Sequence, residues 1–176
     1  MLNITIQKVG KQMRAKVKHY LKEVIFFIIT MTVIANLMSY YKSRDLNHTD
    51  FDIKESKLID NSIYKPNNGV KVIHFWATWC PTCKLEAANI EYLSKYYDVI
   101  TIAVNSGSDY EIANYLKEHN LNFKVINDKD SELSKLYNIT AFPTTLIYNK
   151  DNKVVFSDVG YTSTLGLFVR AWIASL

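Results

Sequence analysis

The sequence predicts an α/β fold, in which a mixed central sheet is flanked by helices on both faces and preceded by one N-terminal transmembrane helix. Three observations lead to this prediction. Runs of β-branched and aromatic residues alternate with helical periodicity from residue 58 onward, an 18-residue segment near the N-terminus carries no charge, and the only two cysteines stand between a strand pattern and a helix pattern. About 120 residues from position 58 onward can bury a core of their own.

The charges are distributed unevenly along the chain. Residues 1–44 hold eight Lys and Arg side chains against one Glu, whereas residues 45–176 hold 13 basic and 16 acidic side chains. The net charge of +4 therefore combines +7 in the N-terminal part with −3 in the rest. The domain lacks the excess of positive charge that nucleic-acid binding requires, and we predict no nucleic-acid partner.

The uncharged segment 24–41 predicts a short membrane span. Six basic residues precede it and fewer follow, so the positive-inside rule keeps residues 1–23 in the cytoplasm and places everything after Tyr41 outside. A cleaved signal peptide is the alternative, because Val33-Ile34-Ala35 has small residues spaced like a cleavage site. In either case the domain lies where disulfides form and persist.

Residues 42–57 are polar and charged, which predicts a loose linker, and residues 58–176 are assigned to the folded domain. Segment 58–64 is predicted as an edge strand, and 65–69 has the composition of a turn. The next run, 70–76, is rich in β-branched and aromatic residues. It predicts a buried strand that leads directly into the cysteines.

Cys80 and Cys83 follow this strand, and Pro81 fits the first position of a helix, because its missing N–H would have no partner there. Cys80 is therefore predicted at a helix N-terminus, where the macrodipole and the free N–H groups favour a thiolate. Cys83 is one turn farther on the same face, within reach of a disulfide. We predict that Cys80 attacks a partner's disulfide and that Cys83 resolves the mixed disulfide.

Three other interpretations of the cysteine pair compete with a redox role. A zinc site needs four ligands, whereas the two cysteines supply half of one and His19, His48, His74 and His119 are scattered. A structural disulfide would close a loop too short to constrain the unfolded chain. Two unrelated buried cysteines would not require a strand, Cys-Pro-x-Cys and a helix in this order. We predict no metal and no cofactor.

The rest of the chain alternates between helix and strand patterns. The helix after Cys83 is predicted to face the core through Leu85, Ala88, Tyr92, Leu93 and Tyr96. A second helix, 109–119, is predicted to bury Ile112, Ala113 and Leu116. The other predicted elements are strands at 99–104, 123–126, 145–149 and 154–159, the last two forming a hairpin, and helices at 131–137 and 164–175.

Two motifs make the chain similar to a known family. Phe75-Trp76-Ala77-Thr78-Trp79-Cys80-Pro81-Thr82-Cys83-Lys84-x-Glu86 resembles the active-site motif of the thioredoxin superfamily, and Ala141-Phe142-Pro143-Thr144-Thr145 resembles its cis-proline loop. The elements predicted at 109–126 look like the central insertion of the membrane-anchored TlpA/DsbE-like thiol–disulfide oxidoreductases of bacteria. The resemblance runs from about residue 58 to the C-terminus and implies a thioredoxin-like fold.

The resemblance also implies roles for particular residues. Pro143 is expected to be cis and to face the cysteine pair, although trans is the commoner state of prolines in general. The backbone of Phe142 is expected to pair with an extended substrate. We expect Cys80, Cys83, Glu86 and Pro143 to be catalytic and Trp79, Pro81, Thr82 and Phe142 to contact substrate.

Glu86 lies three residues after Cys83 on the same helix face and is predicted to accept the Cys83 proton during resolution; TlpA-like proteins often carry a glutamate here. The alternative is that an early acid only favours the helix dipole. His74 stands where thioredoxin has a buried aspartate, so that proton relay does not carry over. We predict a core histidine, and the alternative is a direct role in the reaction. Thr82 stands where strongly oxidising DsbA-type proteins have a histidine that stabilises the thiolate, and its absence disfavours a strong oxidant.

Together these features predict an enzyme of the bacterial inner membrane, with its catalytic domain outside the cytoplasm, that reduces or exchanges disulfides of exported proteins, for example in cytochrome c maturation. The expected partners are those proteins and a membrane donor or acceptor of electrons that recycles the pair. One alternative is a disulfide-donating oxidase or isomerase of the DsbA type. Another is a copper-handling chaperone, which the C-x-x-C spacing and the absence of a histidine after His119 disfavour.

Overall fold

The computed structural model describes residues 2–44, 46, 50–53 and 55–176, with side chains from residue 16 onward. The chain forms two compact units, Met1–Met38 and Ser39–Leu176. The first is part of one long helix, and the second contains the sheet and both cysteines.

The N-terminal helix α1 spans Leu2–Ser43. Its part Lys16–Ser43 is long and apolar enough to cross a membrane, with a mean hydropathy of 1.8. The hydroxyl groups of Thr30 and Thr32 donate to backbone carbonyl oxygens four residues earlier, at 2.9 and 2.8 Å. These bonds satisfy polar side chains without water, as the interior of a bilayer requires. The predicted span 24–41 lies inside this helix, which also continues through most of the segment 1–23.

The second unit is built on a five-stranded sheet with the order β5-β4-β3-β6-β7. Strands β3, β4 and β5 run parallel, and β6 and β7 are antiparallel to their neighbours. In chain order the elements are β1 (Ser56–Lys57), β2 (Ile63–Tyr64), β3 (Lys71–Trp76), α2 (Pro81–Leu93), β4 (Asp98–Val104), α3 (Asp109–Glu118), β5 (Lys124–Asp128), α4 (Glu132–Leu136), β6 (Thr144–Tyr148), β7 (Val154–Val159) and α5 (Thr164–Ala174). From residue 70 onward every predicted element is confirmed, with ends shifted by at most two residues except at α2, which ends at Leu93, three residues before the predicted Tyr96.

The helix α3 of the inserted unit begins at a capping box. The Ser108 hydroxyl accepts from the Glu111 N–H at 3.3 Å, and the Glu111 carboxylate accepts from the Ser108 N–H at 2.7 Å. This reciprocal pair satisfies two N–H groups that a helix start leaves free, which explains why the helix begins directly after the turn at the end of β4.

The two faces of the sheet are covered differently. Helices α2, α3 and α5 pack on one face and enclose the core that contains both cysteines. The other face is covered by the short helix α4 and by the chain that precedes β3, with Leu46, Phe51, Ile53, Leu58 and Tyr64 buried. The prediction of a loose linker at 42–57 is therefore wrong for Leu46, Phe51 and Ile53, since these isolated apolar side chains in a polar stretch are packed against the sheet. The domain boundaries themselves remain predictions.

The segment 58–64, predicted as an edge strand, forms no strand of the main sheet. Strands β1 and β2 instead pair with each other in a small antiparallel hairpin that is separate from it. The backbone N–H of Ile59, in the turn of that hairpin, donates to the carbonyl oxygen of Val125 in β5 at 3.1 Å. This bond ties the hairpin to β5, which is an edge strand of the main sheet.

The inward face of α2 also differs from the prediction. Its buried residues are Cys83, Glu86, Ala87, Ile90 and Leu93. Only Leu93 belongs to the predicted set; the side chain of Leu85 is 73% exposed, Ala88, Tyr92 and Tyr96 are also exposed, and Tyr96 lies beyond the helix. In α3, Ile112 and Leu116 are buried as predicted, whereas Ala113 is exposed.

Candidate active site

The cysteine pair lies where the fully buried strand β3 ends and α2 begins. Cys80 is the N-cap residue of α2, and Pro81 occupies the first helical position as predicted. The Cys80 sulfur accepts a hydrogen bond from the Cys83 N–H at 3.2 Å. This N–H group and the positive end of the helix dipole therefore stabilise negative charge on the sulfur of Cys80.

Cys80 and Cys83 are joined by a disulfide, with their Cα atoms 5.3 Å apart. The predicted proximity of the two sulfurs is thus confirmed. Both side chains are nearly buried, Cys80 at 5% exposure and Cys83 at 2%. The pair is therefore reached through its surface edge, beside exposed Pro81 and partly exposed Thr82.

The turn before Cys80 is fixed by the loop after β4. The Thr78 N–H donates to the Ser106 hydroxyl at 3.1 Å, and the Trp79 indole N–H donates to the Asn105 carbonyl oxygen at 3.0 Å. Ser106 in turn donates to the carbonyl oxygen of Val104 at 3.0 Å. The sequence interpretation missed Asn105 and Ser106, although polar residues that directly follow a buried parallel strand lie at the sheet edge where sites are usually built.

The predicted cis-proline is confirmed, since the Phe142–Pro143 peptide bond is cis. The Gly160 N–H donates to the Pro143 carbonyl oxygen at 2.8 Å, which fixes the loop to the end of β7. The ring of Phe142 meets the ring of Trp79 edge-on, with centroids 5.9 Å apart. Because Trp79 directly precedes Cys80, this contact places the proline loop beside the cysteine turn.

Glu86 is completely buried one turn after Cys83. Its Oε1 accepts from the Thr162 N–H at 3.1 Å, whereas Oε2 has no hydrogen-bond partner among the described residues. Burial raises the pKa of Glu86 to about 8, the Thr162 bond opposes that rise, and the charge of Asp158 adds to it. The carboxyl group therefore exchanges a proton near neutral pH, as an acid–base group of a thiol reaction must.

His74 is buried on β3, and its Nδ1 lies 2.9 Å from the hydroxyl oxygen of Thr145. Desolvation lowers its pKa to about 3, so the imidazole is neutral at physiological pH. This environment agrees with the predicted core histidine. Within the described side chains, no three His, Cys, Asp or Glu groups cluster as a metal site requires.

The comparisons with known proteins agree with this geometry. The sequence profile of the Redoxin family matches residues 48–166. A thioredoxin-like protein of Haemophilus influenzae is 27% identical over 163 residues, covering 90% of this chain and 97% of that protein. The thiol–disulfide oxidoreductase ResA of Oceanobacillus iheyensis is 25% identical, with 87% of both chains covered, and ResA of Bacillus subtilis is 30% identical over 58% of this chain and 66% of its own.

Solved structures show the same fold. StoA from Bacillus subtilis matches with a TM-score of 0.59 at 20% identity, covering 72% of this chain and 98% of that one. A secreted disulfide oxidoreductase of Mycobacterium tuberculosis, described as homologous to Escherichia coli DsbE, matches with a TM-score of 0.59 at 21% identity, covering 68% and 94%. The fold is thus thioredoxin-like, as the sequence motifs predict. The chain belongs to the Redoxin family and, within the thioredoxin superfamily, is a thiol–disulfide oxidoreductase of the TlpA/DsbE-like type.

Proposed function

We propose that this oxidoreductase is held in the plasma membrane of a bacterium by α1 and reduces or exchanges disulfides of exported proteins on the extracytoplasmic side. The observation that carries the proposal is the Cys80–Cys83 disulfide at the start of α2, beside the cis Phe142–Pro143 bond. This arrangement supports a pair that opens and closes during each reaction cycle.

In the first step Cys80 acts as the nucleophile. Its thiolate, stabilised by the N-terminal turn of α2, attacks one sulfur of a substrate disulfide and displaces the other sulfur as a thiolate. Cys80 is then bound to the substrate in a mixed disulfide. Its position supports this assignment, because Cys80 is the N-cap residue and Cys83 lies deeper, over the core.

In the second step Cys83 resolves the mixed disulfide. The Glu86 carboxylate takes the Cys83 proton, and the resulting thiolate attacks the Cys80 sulfur and restores the Cys80–Cys83 disulfide. The substrate sulfur leaves as a thiolate. The enzyme dithiol is thereby oxidised by two electrons and the substrate disulfide is reduced by two, and a membrane electron donor returns the pair to the dithiol form.

Four residues are proposed to contact the substrate. The rings of Trp79 and Phe142 form a wall beside the cysteine turn, and Pro81 and Thr82 line its surface. The backbone of Phe142, before the cis-proline, is placed to pair with an extended peptide. In a strand-like pairing of this kind, main-chain hydrogen bonds provide affinity. The aromatic wall then determines which substrate side chains are accepted.

The helix α1 supports the membrane part of the proposal. Its apolar part has the length of a span, and six basic residues precede the uncharged segment 24–41, which favours a cytoplasmic N-terminus. Residues 1–23, 24–41, 42–57 and 58–176 are accordingly proposed as a cytoplasmic segment, an anchor, a connecting segment and the catalytic domain. Cytochrome c maturation is one process that uses such a reductant, and we propose it as a candidate.

The cysteine roles are tested with single-cysteine variants of the full chain. Cys83→Ala should accumulate a mixed disulfide through Cys80, seen as an adduct on a non-reducing gel that disappears on reduction, because the resolving thiol is absent. Cys80→Ala is the matched control and should give no adduct. If Cys80→Ala forms adducts and Cys83→Ala does not, the two roles are reversed; if neither forms one, the proposed exchange reaction is wrong.

The orientation is tested with the Cys83→Ala variant in spheroplasts. A membrane-impermeant maleimide should label Cys80 without lysis, because the domain lies outside the cytoplasm. Labelling only after the cells are lysed would contradict the proposed side of the membrane.

A further inference from the structure

Four polar residues form a row across the face of the sheet beneath α2. Thr101 in β4, His74 in β3, Thr145 in β6 and Asp158 in β7 are paired in register. Residues directly opposite in neighbouring strands point to the same face, so all four side chains share one side of the sheet. All four are buried.

The side of the sheet follows from the neighbours of His74 on its strand. Val72 and Trp76, two positions before and after His74, belong to the core that α2 and α5 cover. Since side chains two positions apart in a strand point to the same face, the row also lies under these helices. A continuous polar row under an otherwise apolar core is costly, because each member must be paired in a medium of low polarity.

The row ends at β7 in an ion pair with α5. The Arg170 Nε lies 2.9 Å from Asp158 Oδ2, with the side chain of Asp158 9% exposed and that of Arg170 22% exposed. Such a partly buried pair contributes little net stability, because desolvation offsets the attraction between the charges.

The same segment of chain also holds Glu86. Thr162, four residues after Asp158, donates its backbone N–H to Glu86 Oε1 at 3.1 Å. Asn89, one turn after Glu86, donates to the Thr162 carbonyl oxygen at 3.1 Å and accepts from the Thr164 hydroxyl at 2.7 Å. These bonds fix the end of β7 and the start of α5 against the buried face of α2. Asp158 lies four residues before Thr162 on the same face of the sheet, and its charge raises the pKa of Glu86.

We propose that Asp158, held in place by Arg170, is a positioning residue that sets the proton affinity of Glu86 and so the pH at which Cys83 resolves the mixed disulfide. The inference rests on the proposed base role of Glu86. The negative charge of Asp158 favours the protonated form of Glu86. Burial raises the pKa of the Asp158 carboxyl group, and the charge of Arg170 opposes that rise and so favours the ionised form of Asp158. Glu86 is then largely protonated at neutral pH, and its ionised form, which accepts the Cys83 proton, becomes more populated as the pH approaches 8.

Other charged and titratable groups also lie on the elements that pack against this face of the sheet. His74 faces the same space from β3 but is neutral, Arg170 comes from α5, and Cys83 precedes Glu86 on α2. Asp158 is thus the group from the sheet whose charge acts on Glu86. Its replacement by Asn removes that charge with little change of shape, and Arg170, left without its anion, also favours the ionised form of Glu86.

The test follows the reaction of the reduced full chain, in detergent micelles, with one equivalent of Ellman's reagent by stopped flow. Attack by Cys80 releases the first coloured thiolate and resolution by Cys83 releases the second, so both steps are timed in one trace. The acid midpoint of the second phase should fall by roughly one pH unit in Asp158→Asn, which makes resolution about tenfold faster well below the midpoint. An unchanged midpoint would overturn the proposal.

Arg170→Met supplies a second, independent outcome. Without the cation, Asp158 and Glu86 share one proton and titrate as a pair, so the single midpoint should broaden into two. A single midpoint at the wild-type pH would overturn the role of Arg170. Lys124→Met is the matched control: it removes the cation of the ion pair with Asp98 at the opposite edge of the sheet, 3.4 Å from Nζ to Oδ1, and should leave the midpoint unchanged.

A direct titration separates this inference from the proposed function. In full chains labelled with ¹³C at the Glu carboxyl carbons, the signal missing from Glu86→Gln identifies Glu86, and its titration should move to lower pH in Asp158→Asn. If Glu86→Gln leaves the stopped-flow profile unaltered, the base role fails, whereas the titration shift still decides the effect of Asp158. If the titration does not move, the inference fails whatever the role of Glu86.

Discussion

Replacing the buried acid with its neutral amide, Glu86→Gln, should stabilise the protein, and the gain should grow with pH. Glu86 has an ordinary pKa of 4.5 that the fold raises to about 8. The folded protein therefore binds more protons than the unfolded chain between these two pH values. The stability that the protonated Glu86 side chain contributes is fully present below pH 4.5. It is lost as the pH rises from 4.5 through 8.

The magnitude follows from the size of the shift. Each pKa unit corresponds to about 1.4 kcal/mol, so the ionisation of Glu86 costs about 5 kcal/mol once the pH exceeds 8. At pH 7 the cost is about 3 kcal/mol, and at pH 5 it is about 1 kcal/mol. Gln at this position has no charge to desolvate, and its carbonyl oxygen keeps the bond from the Thr162 N–H.

The assay is urea unfolding of the oxidised full chain in detergent micelles at pH 5, 7 and 8.5, followed by the fluorescence of the three tryptophans. The difference in unfolding free energy between Glu86→Gln and wild type should increase over this range by about 4 kcal/mol. Taking the difference at each pH cancels the contributions of groups that titrate independently of Glu86. Glu91→Gln, on the same helix but half-buried with its carboxylate accepting from the Asn122 N–H at 2.7 Å, is the matched control.

The control should show no comparable trend with pH. If the difference between Glu86→Gln and wild type stays constant from pH 5 to 8.5, Glu86 ionises in the fold as it does in the unfolded chain. The reasoning from its burial would then be wrong, and so would its use as a proton acceptor near neutral pH.

Three further predictions concern the helix face, the buried histidine and the redox couple. In urea unfolding at pH 7, Leu85→Ala should change the unfolding free energy by less than about 0.5 kcal/mol, whereas Ile90→Ala should lower it by about 2–5 kcal/mol, because only Ile90 is buried. Equal losses in the two variants would contradict the inward face of α2. Because the pKa of His74 is lowered to about 3, the unfolding free energy should fall as the pH drops from 6.5 toward 3. His74→Gln should reduce that fall in the same assay. A fall as large in His74→Gln as in wild type would refute the buried neutral state of His74. The reduction potential of the Cys80–Cys83 pair, measured against a dithiothreitol buffer by alkylation, should lie near or below about −270 mV if the enzyme is a reductant, and a value near −120 mV would indicate a disulfide donor.

The parts of the site that the sequence predicted are those with local signals. Pro81 marks the helix start because its fixed φ and missing N–H suit only that position. The spacing of Cys80 and Cys83 places both sulfurs on one face of one turn, and the motif around Pro143 identifies the cis bond through family resemblance. Each of these signals lies within a few residues of the feature it predicts, so none depends on the register of the sheet.

The parts that the sequence could not supply depend on which strands are neighbours. Asp158 is 72 residues from Glu86 along the chain, and only the β3–β6–β7 register and the loop at Thr162 bring the two together. Asn105 and Ser106 likewise reach the cysteine turn only because β4 lies beside β3. Phe51 is buried, but a single apolar side chain in a polar stretch has no periodicity to reveal it.

The error in the face of α2 has a physical cause that also points to function. Two sets of residues on this helix repeat every three or four positions: Leu85, Ala88 and Tyr92 are mostly large and apolar, whereas Cys83, Glu86 and Ile90 include an acid. Hydrophobicity alone predicts that the first set faces the core. In the structure the face of α2 that carries Cys83 packs on the sheet instead, and Glu86, on the same face, is therefore buried in the core. Sequence rules fail here because the helix buries a carboxyl group at a cost of about 3 kcal/mol at pH 7. A cost of that size is a large fraction of a typical domain's stability, so a proton-transfer role that requires the buried position is a better explanation of Glu86 than a favourable charge near a helix N-terminus.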